Sequence, residues 1–324
     1  MVKEETPLSQ HPLTSESPHM SAAPAIGIMA YNEERNIGSL LESILSQTSG
    51  ASISRIVIVA SGCTDRTCEI VSDYARRDPR VVLIEEQDRA GKTAAVNKFL
   101  LTATEEVLMV SSADLIFQPQ TVAEIMRPFA DPEIGMVGAH AIPLNADDNF
   151  FGYASNLMWT LHHEISLRDP KMGELIAFRN VFRRLNPAAI SDELSVYQLI
   201  RSAGYKVAYA PQAIVYNKGP GTLSDFVSQR MRCIIGNLAV MREHNVRVAT
   251  MSTLPVLRAA LPHALRNWKR LHWTIGAAML EFYCRLKSQP AYRSQRRRKQ
   301  LQVWEPVSTT KSLTPDSPHT KTAH

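Results

Sequence analysis

The sequence predicts an α/β fold: a doubly wound, mostly parallel sheet, followed by a helical and basic C-terminal segment. Three observations carry that expectation. Short apolar runs alternate with stretches of helical periodicity at least four times between residues 25 and 126. The runs are continuous and β-branched rather than alternating, as strands buried on both faces are, and helical crossovers set such strands parallel. A polar residue follows each run, at Tyr31, Ser61, Lys92 and Asp114. Ligands of doubly wound sheets bind beyond the carboxyl ends of the strands, so these four residues should share one rim.

The units justify themselves in order. Ala25 to Met29 is a first strand, and Asn32-Glu33-Glu34 signals a helix start before Ile37, Leu40, Leu41, Ile44 and Leu45. Arg55 to Val59 is a second strand, with Thr64-Asp65 as cap and Ile70, Val71 and Tyr74 as the buried stripe of the next helix. Val81 to Ile84 leads through Gly91 into a helix that reaches Leu100-Leu101. Val107 to Val110 is a fourth strand, and another helix follows Pro119. Past Pro143 the pattern changes. Phe150 to Leu167 reads as one amphipathic helix carrying Trp159, His162 and His163. A helix opens near Asp192, Lys206 to Ala210 forms a strand, and Thr222 to Arg242 forms a helix with Phe226, Met231, Ile234, Ile235 and Leu238 inside.

Composition bounds the rest. A chain of 324 residues, 44% of them hydrophobic, can bury a full core. Four divisions are expected: a disordered tail over 1–22, a catalytic domain over 23–243, a basic amphipathic helical segment over 244–290, and a basic, polar tail over 291–324. Residues 1–22 hold Ser, Pro and His but no apolar run, and lack the pattern of a signal peptide. Cys63, Cys68, Cys233 and Cys284 have no metal-ligand or disulfide-framework spacing, which suggests reduced thiols in the cytoplasm. The net charge is +5, yet twelve Lys or Arg between His244 and Trp304 face Glu281 alone. An acidic-to-neutral body with a basic final quarter suits a polyanion or an anionic membrane surface as partner.

Asp114 is the most informative residue. It closes the run Val107-Leu108-Met109-Val110-Ser111-Ser112-Ala113, and a carboxylate at the end of a buried strand is costly unless it faces a site or a cation. Asp192-Glu193 opens a helix; the pair could cap that helix or act in proton transfer. Gln229 and Arg232, three apart, project from one helix face, where a guanidinium can grip diphosphate oxygens in bidentate fashion. Gly91-Lys92-Thr93 has the look of the end of a P-loop, but Glu86 stands where that motif needs glycine, which excludes a P-loop ATPase. His162 and His163, being adjacent, face different ways; a shared metal is therefore not expected, and one of them could line an acceptor site.

Six motifs in order carry a resemblance: Ala30-Tyr31-Asn32-Glu33-Glu34, Ser61-Gly62-Cys63-Thr64-Asp65, Gly91-Lys92, Ser112-Ala113-Asp114, Asp192-Glu193 and Gln229-Arg230-Met231-Arg232-Cys233. Over residues 24 to 243 the chain resembles the family 2 glycosyltransferases. That resemblance implies a GT-A fold, a nucleoside-diphosphate sugar donor and inversion at the anomeric carbon. Asp114 matches the second acid of the family's Asp-x-Asp motif and implies Mg²⁺ or Mn²⁺ at the donor diphosphate; Ser112 replaces the first acid. Glu193 aligns with the general base, with Asp192 as the rival. Arg232 and Gln229 match the Gln-x-x-Arg-Trp motif, Cys233 standing for Trp. Tyr31, Glu33 and Ser61 fall where the family binds base and ribose, and Lys92 where a phosphate- or base-contacting cation is usual. The implied acceptor is a glycan or lipid-linked hydroxyl. A rival reading is a GT-A domain that binds nucleotide-sugar or a partner without catalysis, since acids common in the family are missing at positions 61 and 112.

The basic quarter holds one more signal. Leu271 to Cys284 is too short and polar to span a bilayer. Leu271, Ile275, Ala278, Met279, Phe282 and Leu286 nevertheless make a helical stripe near Trp268 and Trp273, flanked by cations, which suits a helix lying in a membrane interface. The expectation is a cytoplasmic enzyme, peripheral on the inner face of the plasma membrane. Nucleic acid is not an expected partner, because the stretch has no recognised reading motif and few interleaved aromatics.

Overall fold

The computed structural model describes residues 23–48, 52–187, 189, 191–243, 248–294 and 308–313. The tail expected over 1–22 lies outside the described residues, as does the tail from 291 onward apart from 291–294 and 308–313.

Eight strands form one sheet in the order β3-β2-β1-β4-β7-β6-β8-β5. Its first half comprises β1 (Ala25–Ala30), β2 (Arg55–Ser61), β3 (Val81–Glu86) and β4 (Val107–Ser112), all parallel, with β1 central between β2 and β4. The helices of this half are α1 (Ile37–Leu45), α2 (Thr67–Arg77) and α3 (Lys92–Thr102). Each turns the chain back so that the next strand runs the same way. The crossovers from β1 to β2 and from β3 to β4 leave on opposite sides, so a crevice opens between β1 and β4.

The second half is mixed. β5 (Ile116–Phe117), β6 (Ile134–Pro143), β7 (Leu175–Arg179) and β8 (Lys206–Asn217) join the sheet through antiparallel pairing of β7 with β4 and β6 and of β5 with β8, while β6 and β8 run parallel. Around it lie α4 (Thr121–Met126), α5 (Phe150–Ser166) and α6 (Asp192–Ser202). The strand expected over Lys206 to Ala210 continues to Asn217 through Pro211, and a register shift opposite Ala139 and His140 absorbs the proline.

Two cores sandwich the sheet. Ile26 and Ile28 of β1 face α1, α2 and α4, while Ala25 and Met29 face α3 and α6. Gly27 stands opposite Phe99 of α3, where an added Cβ would lie 2.5 Å from the ring, so only glycine lets helix and strand approach this closely. Beyond the sheet, α7 (Leu223–Glu243), α8 (Thr253–Arg266) and α9 (Leu271–Arg293) form a helical layer. Ile234, Ile235 and Leu238 of α7 pack on Cys284, Ala291 and Tyr292 of α9, and Ala259 of α8 packs on Ile165 of α5. Arg230 of α7 points inward: it donates two 2.9 Å hydrogen bonds to Glu281 of α9, which also accepts from Arg285. All four cysteines are free thiols.

Candidate active site

The turn after β1 is strained. Asn32 adopts φ 52°, which favours glycine, and its side chain holds the turn by accepting from the Thr64 N–H and donating to the Thr64 hydroxyl. This joins the ends of β1 and β2 and presents Tyr31 and Glu33 to the crevice. Gly91, at φ 94°, turns the chain out of β3's following loop so that Lys92 is the first residue of α3. Ser191 caps α6 by accepting from the Leu194 N–H, which sets Asp192 and Glu193 in the first turn.

These devices converge. A cleft of about 890 Å³ is lined by all the residues singled out from sequence: Tyr31, Glu33, Ser61, Lys92, Asp114, Asp192, Glu193, Gln229 and Arg232. His162 lines it as well, whereas His163 turns away to stack on His140, with ring centroids 4.1 Å apart, and to bond Tyr209. The divergence of the two histidines follows from their adjacency on one helix.

Lys92 organises the acids. Its ammonium donates to Glu193 at 3.2 Å and lies 3.1 Å from Asp192, a contact that brings charge to Asp192 outside good hydrogen-bond geometry. Burial works to raise the Glu193 carboxyl, but Lys92, Lys171 and the hydroxyl of Ser191 outweigh it and hold Glu193 below the usual carboxylate range. Asp192 goes the other way, raised by burial and by the charge of Glu193. Burial opposes the charge on Lys92, yet Asp192, Glu193 and Glu174 together push its pKa up.

The other end of the cleft is crowded with carboxylates. Glu33 is raised to about 7 by burial and by Asp114, against the pull of Lys311 and Asn36. Glu174 is raised to about 7 by burial and by the same Asp114, against Lys92. Burial is the larger cause in both, and the charge of Asp114 adds to it. Among the described residues no three His, Cys, Asp or Glu are grouped to cage a metal. One carboxylate with surplus negative charge around it suits a hard cation that takes most of its ligands from diphosphate and water.

Several participants escaped the sequence reading. Glu174 leads into Leu175-Ile176-Ala177-Phe178, an apolar run whose strand character was the available signal. Lys171 lines the same wall, and burial lowers its pKa. Lys311 gave no signal, sitting in a polar stretch; yet its ammonium donates to the Tyr31 carbonyl at 2.8 Å and pairs with Glu33, while the N–H of Leu313 donates to Asn36. Glu33 and Ser61 are thus engaged within the protein, Ser61 donating to Glu86 at 2.6 Å. The Tyr31 ring carries the Arg89 guanidinium 3.8 Å from its centroid.

The glycosyl transferase family 2 model matches residues 25–190. The chain is 20% identical over 241 residues to an N-acetylglucosaminyltransferase of Azorhizobium caulinodans, covering 67% of this chain and 60% of that protein. It is 22% identical over 227 residues to a poly-beta-1,6-N-acetyl-D-glucosamine synthase of Staphylococcus aureus, covering 66% and 54%. The chain thus spans little more than half the length of the curated relatives it matches. A mannosyltransferase of Pyrobaculum calidifontis, solved with GDP-Man and Mn²⁺, superposes with a TM-score of 0.56 at 20% identity, covering 95% of this chain and 92% of that one. That likeness establishes the GT-A type of α/β fold. With half of its length matched by the family model, this chain belongs to glycosyl transferase family 2.

Proposed function

We propose that this family 2 chain moves a sugar from a nucleoside-diphosphate sugar to an acceptor hydroxyl, with inversion and with Mg²⁺ or Mn²⁺ at the diphosphate. One observation carries the reading: Glu193, held ionised by Lys92, shares a cleft with Asp114 and Arg232. In the reaction the acceptor oxygen attacks the anomeric carbon as the bond from that carbon to the diphosphate oxygen breaks. The acceptor proton passes to Glu193, and the bonding pair leaves on the diphosphate. Glu193 suits that task better than Asp192, since its side chain is 27% exposed against 7% for Asp192. Asp114 would hold the cation, which neutralises charge on the departing diphosphate. Arg232 and Gln229 bind the diphosphate from α7, and Tyr31, Ser61 and Glu33 flank the nucleoside. Lys92 keeps Glu193 oriented and charged.

The activities of the relatives and the GDP-Man and Mn²⁺ bound in the superposed mannosyltransferase support a nucleotide-sugar donor for this chain. A thermal-shift screen of nucleoside diphosphates and their sugars with Mn²⁺ tests the reading, since a ligand stabilises the state it binds. Stabilisation by one nucleoside diphosphate that Asp114→Asn removes is expected; no response to any of them would contradict it.

The membrane partner has its own support. No helix among the described residues is long and apolar enough to cross a bilayer. Leu254, Leu261 and Leu265 of α8, Trp268 in the connecting turn, and Leu271 and Met279 of α9 are nonetheless between 45% and 74% exposed. Arg258, Arg266, Lys269 and Lys287 are exposed beside them. An apolar face ringed by cations suits peripheral docking at an anionic leaflet, each cation contributing about 1 kcal/mol.

A further inference from the structure

The cleft has a second limb whose chemistry differs from the first. Around Lys92, Asp114, Glu193 and Arg232 it is charged, but it continues between α8 and α9 over the surface of α5. α8 packs on α5, and α9 packs chiefly on α7 and secondarily on α5; α8 and α9 scarcely meet one another, which leaves a groove between them. Leu157, Leu161 and Ile165 of α5 form its floor, with Val256 and Ala260 of α8 on one side and Ala277 of α9 on the other. The charges at its inner end are already matched, Glu281 being bonded to Arg230 and Arg285. Thr274 is already bonded to Tyr153, so apart from Thr253 these walls offer chiefly methyl and methylene surface to an occupant.

The outer end of the limb identifies its occupant. Leu257 and Phe282 line the limb and are also 58% and 62% exposed, so they belong at once to the groove and to the apolar outer face. That face is ringed by Arg258, Arg266, Lys269 and Lys287. A molecule lying in an anionic leaflet would therefore meet the groove's mouth without crossing water. One end of the passage is apolar and opens at the exposed apolar face; the other is charged and holds the proposed base.

We infer that this limb receives the hydrocarbon chain of a lipid-linked acceptor, presenting its polar head to Glu193 while the chain runs out between α8 and α9. The inference rests on the sugar-transfer reading above and names its acceptor class. It also accounts for small side chains at Ala260 and Ala277, since larger ones would fill the passage.

The test uses 11-(dansylamino)undecanoic acid as an aliphatic probe, followed by dansyl fluorescence on the full chain. Saturable binding is expected in the wild type, weakened at least tenfold by Ala260→Trp and by Ala277→Trp. Both variants should keep the Mn²⁺-dependent thermal shift with nucleoside diphosphate, because neither position touches the charged limb. If a tryptophan prevents folding, the double variant Leu257→Glu/Phe282→Glu, altered at exposed positions, carries the same expectation. No saturable binding in the wild type, or unchanged affinity in the folded variants, overturns the inference. Loss of the nucleotide response alone would instead count against the transfer reading, so the two failures are distinguishable.

Discussion

The sheet and the C-terminal helices treat apolar surface in opposite ways. From β1 to α6 the large side chains are inside: Phe99, Phe178, Ile26, Ile28 and Leu108 are fully buried. On α8 and α9, Leu254, Leu257, Leu261, Leu265, Met279 and Phe282 stand outward instead. The first region spends its apolar surface on its own stability, and the second keeps it for something else. Exposed apolar faces of this extent mark interaction surfaces. Burial by itself therefore separates the sheet from the outer face of α8 and α9, although both regions line the cleft.

Paired substitutions can break that contrast. Phe178→Ala, in the core between β7 and α6, should cost about 3–5 kcal/mol in urea unfolding. Met279→Ala on α9 should change stability by less than about 0.5 kcal/mol. Equal losses would mean that the outer face is structural after all.

The boundary between the regions is held by charge. Glu281→Gln leaves Arg230 and Arg285 without their anion and should cost about 3 kcal/mol. The pH dependence sharpens this. Glu281 titrates at about 2 in the fold against 4.5 unperturbed, because Arg230 and Arg285 outweigh the effect of burial. A depressed carboxyl contributes fully above 4.5 and loses its contribution as pH falls toward 2. The stability gap between wild type and variant should therefore shrink from pH 5 to pH 2; a constant gap would refute the pairing.

A smaller effect is expected at Gly27. Gly27→Ala presses a methyl group on the Phe99 ring, at a cost of about 1–3 kcal/mol. The smallest change in stability should accompany Leu261→Glu on α8, yet this variant should lose sedimentation with vesicles of anionic phospholipid. Retained co-sedimentation would remove the case for membrane docking.

The two regions also differed in how much their residues disclosed beforehand. The first four strands were legible because each is a continuous apolar run ended by a polar residue; burial on both faces imposes that composition on β1, β2 and β4, and β3 shares it at the sheet edge. β6 and β7 were not, since Gly135, Gly138 and His140 interrupt the first, and Leu175 to Arg179 is too short to stand out. Glu174 was hidden with β7. The inward role of Arg230 was not legible because its partner, Glu281, lies 51 residues away, and no local pattern encodes such a pair. Lys311 is more distant still, 278 residues from Glu33. The cleft's charged ends were visible as motifs; its apolar limb was not, because it exists only where α5, α8 and α9 diverge.

Release of nucleoside diphosphate from a panel of sugar nucleotides with Mn²⁺ and a lipid-linked acceptor would test the whole most directly. Turnover in the wild type, lowered at least 10³-fold in Glu193→Gln with nucleotide binding intact, is the predicted result. Undiminished turnover in that variant would contradict the assignment of Glu193 and the chemistry built upon it.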